Sequence, residues 1–233
     1  MSPAAVVFDF DGVIANSEPL HFEALRAVLA GRGYELPRQD YYAHFLGYND
    51  EDALSAISTH YGWPLAQTER AALVDEKLQT MVGLLGAPDV LYPDAASCVR
   101  RLSRTLPLAI ASGAKRDEIE LVLHANDLAG QFRCIVASGE TARSKPAPDP
   151  YARAVELLVS GGAMPPSMDA ARRCVAIEDS AWGIQSAKRA GLRCIAITTS
   201  YPAADLADAD VVVDALTEVT PELLARIVGA AAC

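Results

Sequence analysis

Two aspartates one residue apart, Asp9 and Asp11, close a short apolar run and are followed at once by Gly12, in the stretch VVFDFDG at Val6–Gly12. Side chains alternate along an extended chain, so Asp9 and Asp11 fall on one side and Phe10 on the other. Like charges that close either raise each other's proton affinity or need a cation between them. Gly12 lets the backbone turn sharply and lets a ligand approach it. By themselves these residues also read as a strand and an Asp-Gly turn. Three more polar clusters follow apolar runs downstream: Ser112-Gly113, Lys145 in Ser144-Lys145-Pro146, and Glu178-Asp179 ahead of Ser180. Singly, they read as a helix cap, a loop charge and an acidic helix start favoured by the helix dipole. Gathered along one sheet edge, the four clusters supply a nucleophile, an acid/base, a cation site, a hydroxyl donor and a fixed positive charge. Phosphoryl transfer uses that combination.

A sheet edge that gathers these groups has to be built by parallel strands. Short apolar runs at Ala4–Phe8, Leu106–Ala111, Phe132–Ala137, Cys174–Ile177, Leu192–Ile197 and Asp210–Val213 read as strands. Helical periodicity separates the later ones, at Lys115–Asn126, Pro148–Val159 and Trp182–Ala190, and Pro221–Val228 forms a last helix. The fold class is therefore α/β, a doubly wound, mostly parallel sheet. Helical patterns at Glu18–Ala30, Asn49–Tyr61 and Gln67–Leu84 interrupt it, with Ser17 as the expected N-cap of the first. The expected organisation is an α/β core of residues 1–16 and 87–233 and a helical cap domain of residues 17–86. An insertion leaving from the carboxyl end of the first strand sits where open α/β sheets bind ligands. It reads as a lid hinged near Ala15–Ser17 and Gly86–Asp89.

Composition excludes several function classes. The 233 residues are 51% apolar and 21% charged, with a net charge of −10, so a folded chain with a sizeable core is expected. That acidity opposes nucleic-acid and anionic-membrane partners, and an anionic substrate then needs a local cation. The five cysteines, Cys98, Cys134, Cys174, Cys194 and Cys233, form no CxxC pair, so neither a disulfide framework nor a zinc site is signalled. Cys174 and Cys194 read as core residues. No signal-peptide pattern and no membrane-length apolar run is present, and a cytoplasmic location is expected.

The motifs DFDGVIANSE at Asp9–Glu18, IASG at Ile110–Gly113, SKPAPDPY at Ser144–Tyr151 and IEDSAWGIQSAKRAG at Ile177–Gly191 resemble the haloacid-dehalogenase-like superfamily. Within it they resemble the β-phosphoglucomutase and phosphoglycolate phosphatase group with a helical cap. The resemblance implies that Asp9 attacks phosphorus and becomes an aspartyl phosphate. It implies that Asp11 is the general acid and then the base. Ser112 and the Gly113 N–H would hold phosphoryl oxygens, and Lys145 would offset the charge. It further implies Mg2+ held by Asp9, the main-chain carbonyl of Asp11, Asp179 and Glu178, the last directly or through water. The resemblance further implies that an aspartate at position 11 goes with phosphate-ester chemistry rather than with dehalogenation or phosphonate hydrolysis. The cap's only lysine, Lys77, reads as a solvated helix-surface charge.

The expected enzyme is thus a magnesium-dependent phosphatase acting on a small phosphorylated metabolite, as a monomer or weak homodimer. The alternative is a β-phosphoglucomutase-like phosphomutase, and a phosphate-sensing module without turnover is a third reading. His21 resembles a mutase hinge histidine that couples cap closure to acid/base readiness, and equally reads as an ordinary helix residue. Mutases place a lysine just before the cap-loop glycine and an arginine three residues after it. Here, around Gly47, those positions are Leu46 and Asp50, which opposes a second phosphate. His21, Gly47 and Asn49 are the expected cap contacts to substrate; His44, Tyr48 and Asn49 read as hydroxyl readers, with packing an equal reading for Tyr48.

Overall fold

The computed structural model describes residues 2–46, 48, 50–85 and 90–230. The expected substrate contacts Gly47 and Asn49 and the expected hinge Gly86–Asp89 lie outside the described residues. In chain order the elements are β1 (Ala5–Phe8), α1 (Glu18–Ala30), α2 (Arg38–His44), α3 (Asp50–Tyr61), α4 (Gln67–Leu85), α5 (Ala95–Ser103), β2 (Leu108–Ala111), α6 (Arg116–Ala125), β3 (Phe132–Val136), α7 (Asp149–Ser160), β4 (Cys174–Glu178), α8 (Ala181–Arg189), β5 (Arg193–Ile197), β6 (Val211–Val213) and α9 (Pro221–Gly229). The chain divides into two units, Met1–Asn16 with Pro88–Cys233, and Ser17–Ala87.

The first unit is built on a six-stranded sheet of order β3-β2-β1-β4-β5-β6, parallel throughout. All four residues of β1 are fully buried, because both faces of the sheet are covered, and a doubly covered strand is apolar without alternation. Ala5 and Val7 share one core cluster with Tyr151 of α7 and Ile184 of α8. Val6 and Phe8 alternate to the other face, where α5 meets β2 and α9 meets β4. Phe8 pairs with Ile110 on one side and Ile177 on the other. One residue further, Asp9 stands level with Ala111 and Glu178. The chain leaves β1 toward β2 and β3 and later returns to β4 on the opposite side. The reversal of strand order therefore lies beside Asp9, where α/β sheets form their ligand crevice.

Two helices that periodicity did not pick out are present. α2 has seven residues, fewer than two full helical repeats, and follows Pro37. α5 begins after Asp94, which holds a left-handed backbone at φ 63°, so no ordinary capping pattern marks it. Ser17 does precede α1, but its backbone is helical and its side chain makes no capping bond to the helix. Cys174 and Cys194 are fully buried, as expected of core residues.

The second unit is helical. Phe22, Leu25, Leu29, Leu54, Ile57 and Leu73 form its core, and α1 packs along α4. Tyr34, Trp63 and Tyr61 stack in sequence, with ring centroids 4.5 and 4.6 Å apart. Lys77 overturns its surface reading: it is 2% exposed. Its ammonium is ion-paired with Asp50, and its Nζ lies 2.7 Å from His21 Nδ1. Helical spacing placed Lys77 on a helix but did not reveal that α3 and α1 bring a carboxylate and an imidazole to it.

Burial, and then the neighbouring Lys77 ammonium, hold the His21 pKa down at about 4, against the opposing pull of Asp50. The unfolded chain therefore takes up a proton near pH 6.5 that the folded protein refuses until about pH 4. The stability tied to neutral His21 is complete above the upper value and is lost as pH falls between the two. Between pH 7 and pH 5 the wild-type chain should lose about 2 kcal/mol more stability than His21→Gln. Urea denaturation of both proteins at the two pH values measures this, and equal losses would rule it out.

Candidate active site

Asp9 leaves the sheet directly after β1, 8% exposed. Its Oδ1 accepts a hydrogen bond from the Phe10 amide at 2.7 Å and lies 2.9 Å from Lys145 Nζ. The same ammonium donates to Glu178 Oε1 at 2.6 Å, and the Tyr151 hydroxyl donates to that oxygen at 2.7 Å. Glu178, the last residue of β4, is fully buried. Its Oε2 accepts from the Asp179 amide at 3.2 Å and from the Ser180 hydroxyl at 3.1 Å. Ser180 in turn caps α8, its Oγ accepting from the Gly183 amide at 3.2 Å.

Two glycines make room for this arrangement. A Cβ on Gly183 would lie 1.9 Å from a Glu178 carboxylate oxygen, so the helix start admits no side chain there. Gly12, at φ +75°, is the turn after the aspartate pair, and a Cβ on it would lie 1.8 Å from Asp179 Oδ2. Asp9, Glu178 and Asp179 each bring a carboxylate oxygen within 4.8 Å of the others.

Burial pushes the Asp9 carboxyl well above its ordinary range. Lys145 opposes that shift, and Glu178, Asp179 and Asp11 add to it. Burial, then Glu178, lifts Asp179 to about 7, while a hydrogen bond from Ser200 and the Lys145 charge pull the other way. Burial disfavours the Lys145 cation, yet Asp9 and Glu178 together outweigh it and hold the ammonium charged. One lysine faces three clustered carboxylates, a crowding that raises their proton affinity unless a further cation joins them. An all-oxygen donor set of this kind fits a hard divalent cation such as Mg2+.

The structure therefore brings together Asp9, Lys145, Glu178 and Asp179 of the residues singled out from sequence. Asp11 is partly buried, and its charge acts on both Asp9 and Asp179. Ser112 follows β2 on the adjacent strand, and its Oγ accepts from the Ala114 amide at 3.0 Å. Space beside Gly113 is open on its Cβ side. His21 belongs to the helical unit and is bonded to Lys77.

Tyr151, Ser180, Gly183, Thr199 and Ser200 have no role that their place in the sequence alone assigns. Tyr151 stands inside SKPAPDPY, and Ser180 and Gly183 stand inside EDSAWG, so their motifs carried a signal. Thr199 and Ser200 lie in a loop after β5 that no pattern marked.

A family model described as haloacid dehalogenase-like hydrolase matches residues 3–191. The chain belongs to the haloacid dehalogenase-like hydrolase family. Protein CbbY of Rhodobacter capsulatus is 30% identical over 88% of this chain and 89% of its own length. The validoxylamine A 7'-phosphate phosphatase of Streptomyces hygroscopicus subsp. limoneus is 28% identical, over 91% of this chain and 94% of its own length. Among solved structures, a CbbY mutant from Rhodobacter sphaeroides in complex with xylulose-(1,5)bisphosphate superposes with a TM-score of 0.78 at 27% identity. That match covers 93% of this chain and 96% of that one. Among the described residues, no helix is long and apolar enough to cross a membrane.

Proposed function

We propose that this hydrolase is a magnesium-dependent phosphatase, hydrolysing a small phosphomonoester of the sugar-phosphate, polyol-phosphate or phosphoglycolate type through an aspartyl phosphate on Asp9. One observation carries the reading: a buried Asp9 carboxylate is fixed by an amide and an ammonium beside two further carboxylates. Crowding like charge around a buried aspartate costs stability, which is the pattern of a group kept for chemistry. The phosphatase name of a relative similar over nearly the whole chain supports the same class.

In this mechanism a carboxylate oxygen of Asp9 attacks phosphorus, and the bond from phosphorus to the ester oxygen breaks. Asp11 gives its proton to that leaving oxygen. Asp11 then takes a proton from water as the water attacks the aspartyl phosphate, which releases phosphate and restores Asp9. The Ser112 hydroxyl and the Gly113 N–H bind phosphoryl oxygens, and Lys145 balances their charge. Glu178 already receives Lys145, Tyr151, Ser180 and an amide, so it orients Lys145 toward Asp9. Asp9, the Asp11 carbonyl and Asp179, with Glu178, would hold Mg2+, which when bound supplies electrostatic stabilisation of phosphoryl charge.

Residues 17–86, with His21, Gly47 and Asn49, are assigned to substrate choice. The pairing of Asp50 with Lys77 commits the helical unit's lysine and leaves no arginine at position 50 for a second phosphate. It supports a monophosphate and weighs against the mutase alternative. Free buried thiols at Cys98, Cys174 and Cys194 accord with a cytoplasmic, reducing location, and the substrate is taken to be a soluble metabolite.

The test is inorganic phosphate release from a panel of sugar, polyol and two-carbon phosphomonoesters, sugar bisphosphates, and a hexose 1-phosphate with a bisphosphate primer. Release from monoesters in Mg2+, stopped by chelator and restored by added Mg2+, is the expected result. Turnover confined to primed hexose 1-phosphate would replace the phosphatase reading with the mutase. Undiminished release in chelator would remove the metal requirement.

A further inference from the structure

The loop after β5 touches the acidic cluster through two hydroxyls. The Thr199 hydroxyl donates to the Gly12 carbonyl at 2.5 Å. The neighbouring Ser200 Oγ and the Asp179 Oδ2 crowd the same space beside Gly12, 2.8 and 1.8 Å from where a Cβ on it would lie. Gly12 itself donates its amide to the Ala15 carbonyl at 3.0 Å, closing the turn that carries Asp11. The loop is anchored at its root: the Thr198 amide donates to the Val213 carbonyl, and its hydroxyl donates to Asp214 at 2.8 Å. Two adjacent side chains on one anchored loop thus meet the two segments that flank the buried carboxylates, Thr199 bonded to Asp11–Gly12 and Ser200 beside Asp179.

We propose that Thr199 and Ser200 are positioning residues for the divalent cation, Ser200 orienting the Asp179 carboxylate and Thr199 fixing the Asp11–Gly12 main chain. The inference rests on the metal-dependent reading above. A carboxylate with one oxygen engaged by a fixed hydroxyl loses rotational freedom and presents its other lone pairs in a set direction, which is how outer-shell partners raise metal affinity. Thr199 acts on the opposite wall. By holding the Gly12 carbonyl it prevents the turn from drawing Asp11 away from Asp179. Neither residue is asked to touch the reacting atoms, so cation affinity should move and the chemical step at saturating cation should not.

Calorimetric titration of the full chain with Mg2+ alone, and the rise in melting temperature it produces, read this without turnover. Ser200→Ala and Thr199→Val should each weaken Mg2+ binding about tenfold, while Ser200→Thr and Thr199→Ser stay close to wild type. With Mg2+ saturating, phosphate release by the weakened variants should return to near the wild-type rate. Ser200 is exposed, so its alanine variant tests affinity without emptying the core. Equal Mg2+ affinity in wild type, Ser200→Ala and Thr199→Val would overturn the proposal while leaving the phosphatase reading intact. A wild-type chain that binds Mg2+ but releases no phosphate would instead remove the phosphatase reading, and the affinity differences would still decide this one. A wild-type chain that binds no Mg2+ would overturn this proposal and remove the metal requirement from the phosphatase reading.

Discussion

Asp9→Asn should lower phosphate release by about 10⁴-fold or more in kcat, because an amide cannot serve as the attacking group. The same substitution should leave the fold as stable as wild type or more so. The asparagine is nearly the same size, and its carbonyl oxygen can still accept from the Phe10 amide, as Asp9 Oδ1 does at 2.7 Å. It also removes one of three carboxylates crowded within 4.8 Å, where burial and like charge disfavour the ionised Asp9. Lost activity with retained or raised stability is the signature of a group kept for chemistry at a cost to the fold. Phosphate release and urea denaturation on the same preparation separate the two effects. An Asp9→Asn chain that turns over like wild type would eliminate Asp9 as nucleophile. One that unfolds far more easily would recast Asp9 as a structural residue.

Lys145→Met should cost about 3–5 kcal/mol of stability, since it strands buried carboxylates without their cation. Lys145 Nζ sits 2.9 Å from Asp9 and 2.6 Å from Glu178, and its side chain is 11% exposed. Methionine fills the space and rests against Tyr151, whose ring centroid lies 5.1 Å from the ammonium, so the loss is of charge more than of packing. The deficit should shrink in Lys145→Met/Asp9→Asn, because the second change removes one stranded charge, and a double-mutant cycle measures that coupling. Added Mg2+ should narrow it as well. Additive losses in the cycle would mean that Lys145 and Asp9 do not act as a pair. Phosphate release should also collapse, with Lys145 no longer present to balance phosphoryl charge.

The order of elements, the parallel sheet and the acidic motifs were legible because each is written locally. Ala5–Phe8 is apolar at every position because both faces of β1 are covered, and the aspartate follows where the strand leaves the core. Motif spacing likewise marked Asp9, Lys145, Glu178 and Asp179, each at or beyond a strand end. Other features depend on residues far apart in the chain. Lys77 lies 27 residues from Asp50 and 56 from His21. Periodicity along α4 therefore described a lysine on a helix and missed a buried ion pair.

Linear order determined which chemical groups this protein owns and at which strand ends they stand: two aspartates after β1, a serine after β2, an acidic pair across the end of β4, and a lysine in the loop before α7. Tertiary structure alone decided which of them share charge. Glu178 is fastened by Lys145, Tyr151 and Ser180, and the Thr199–Ser200 loop reaches back across 187 residues to Gly12. Coulomb forces and hydrogen bonds act over a few ångströms of space, whatever the separation along the chain. Only the folded register of β1 against β4, and of the loop after β5 against the Gly12 turn, brings those atoms within range.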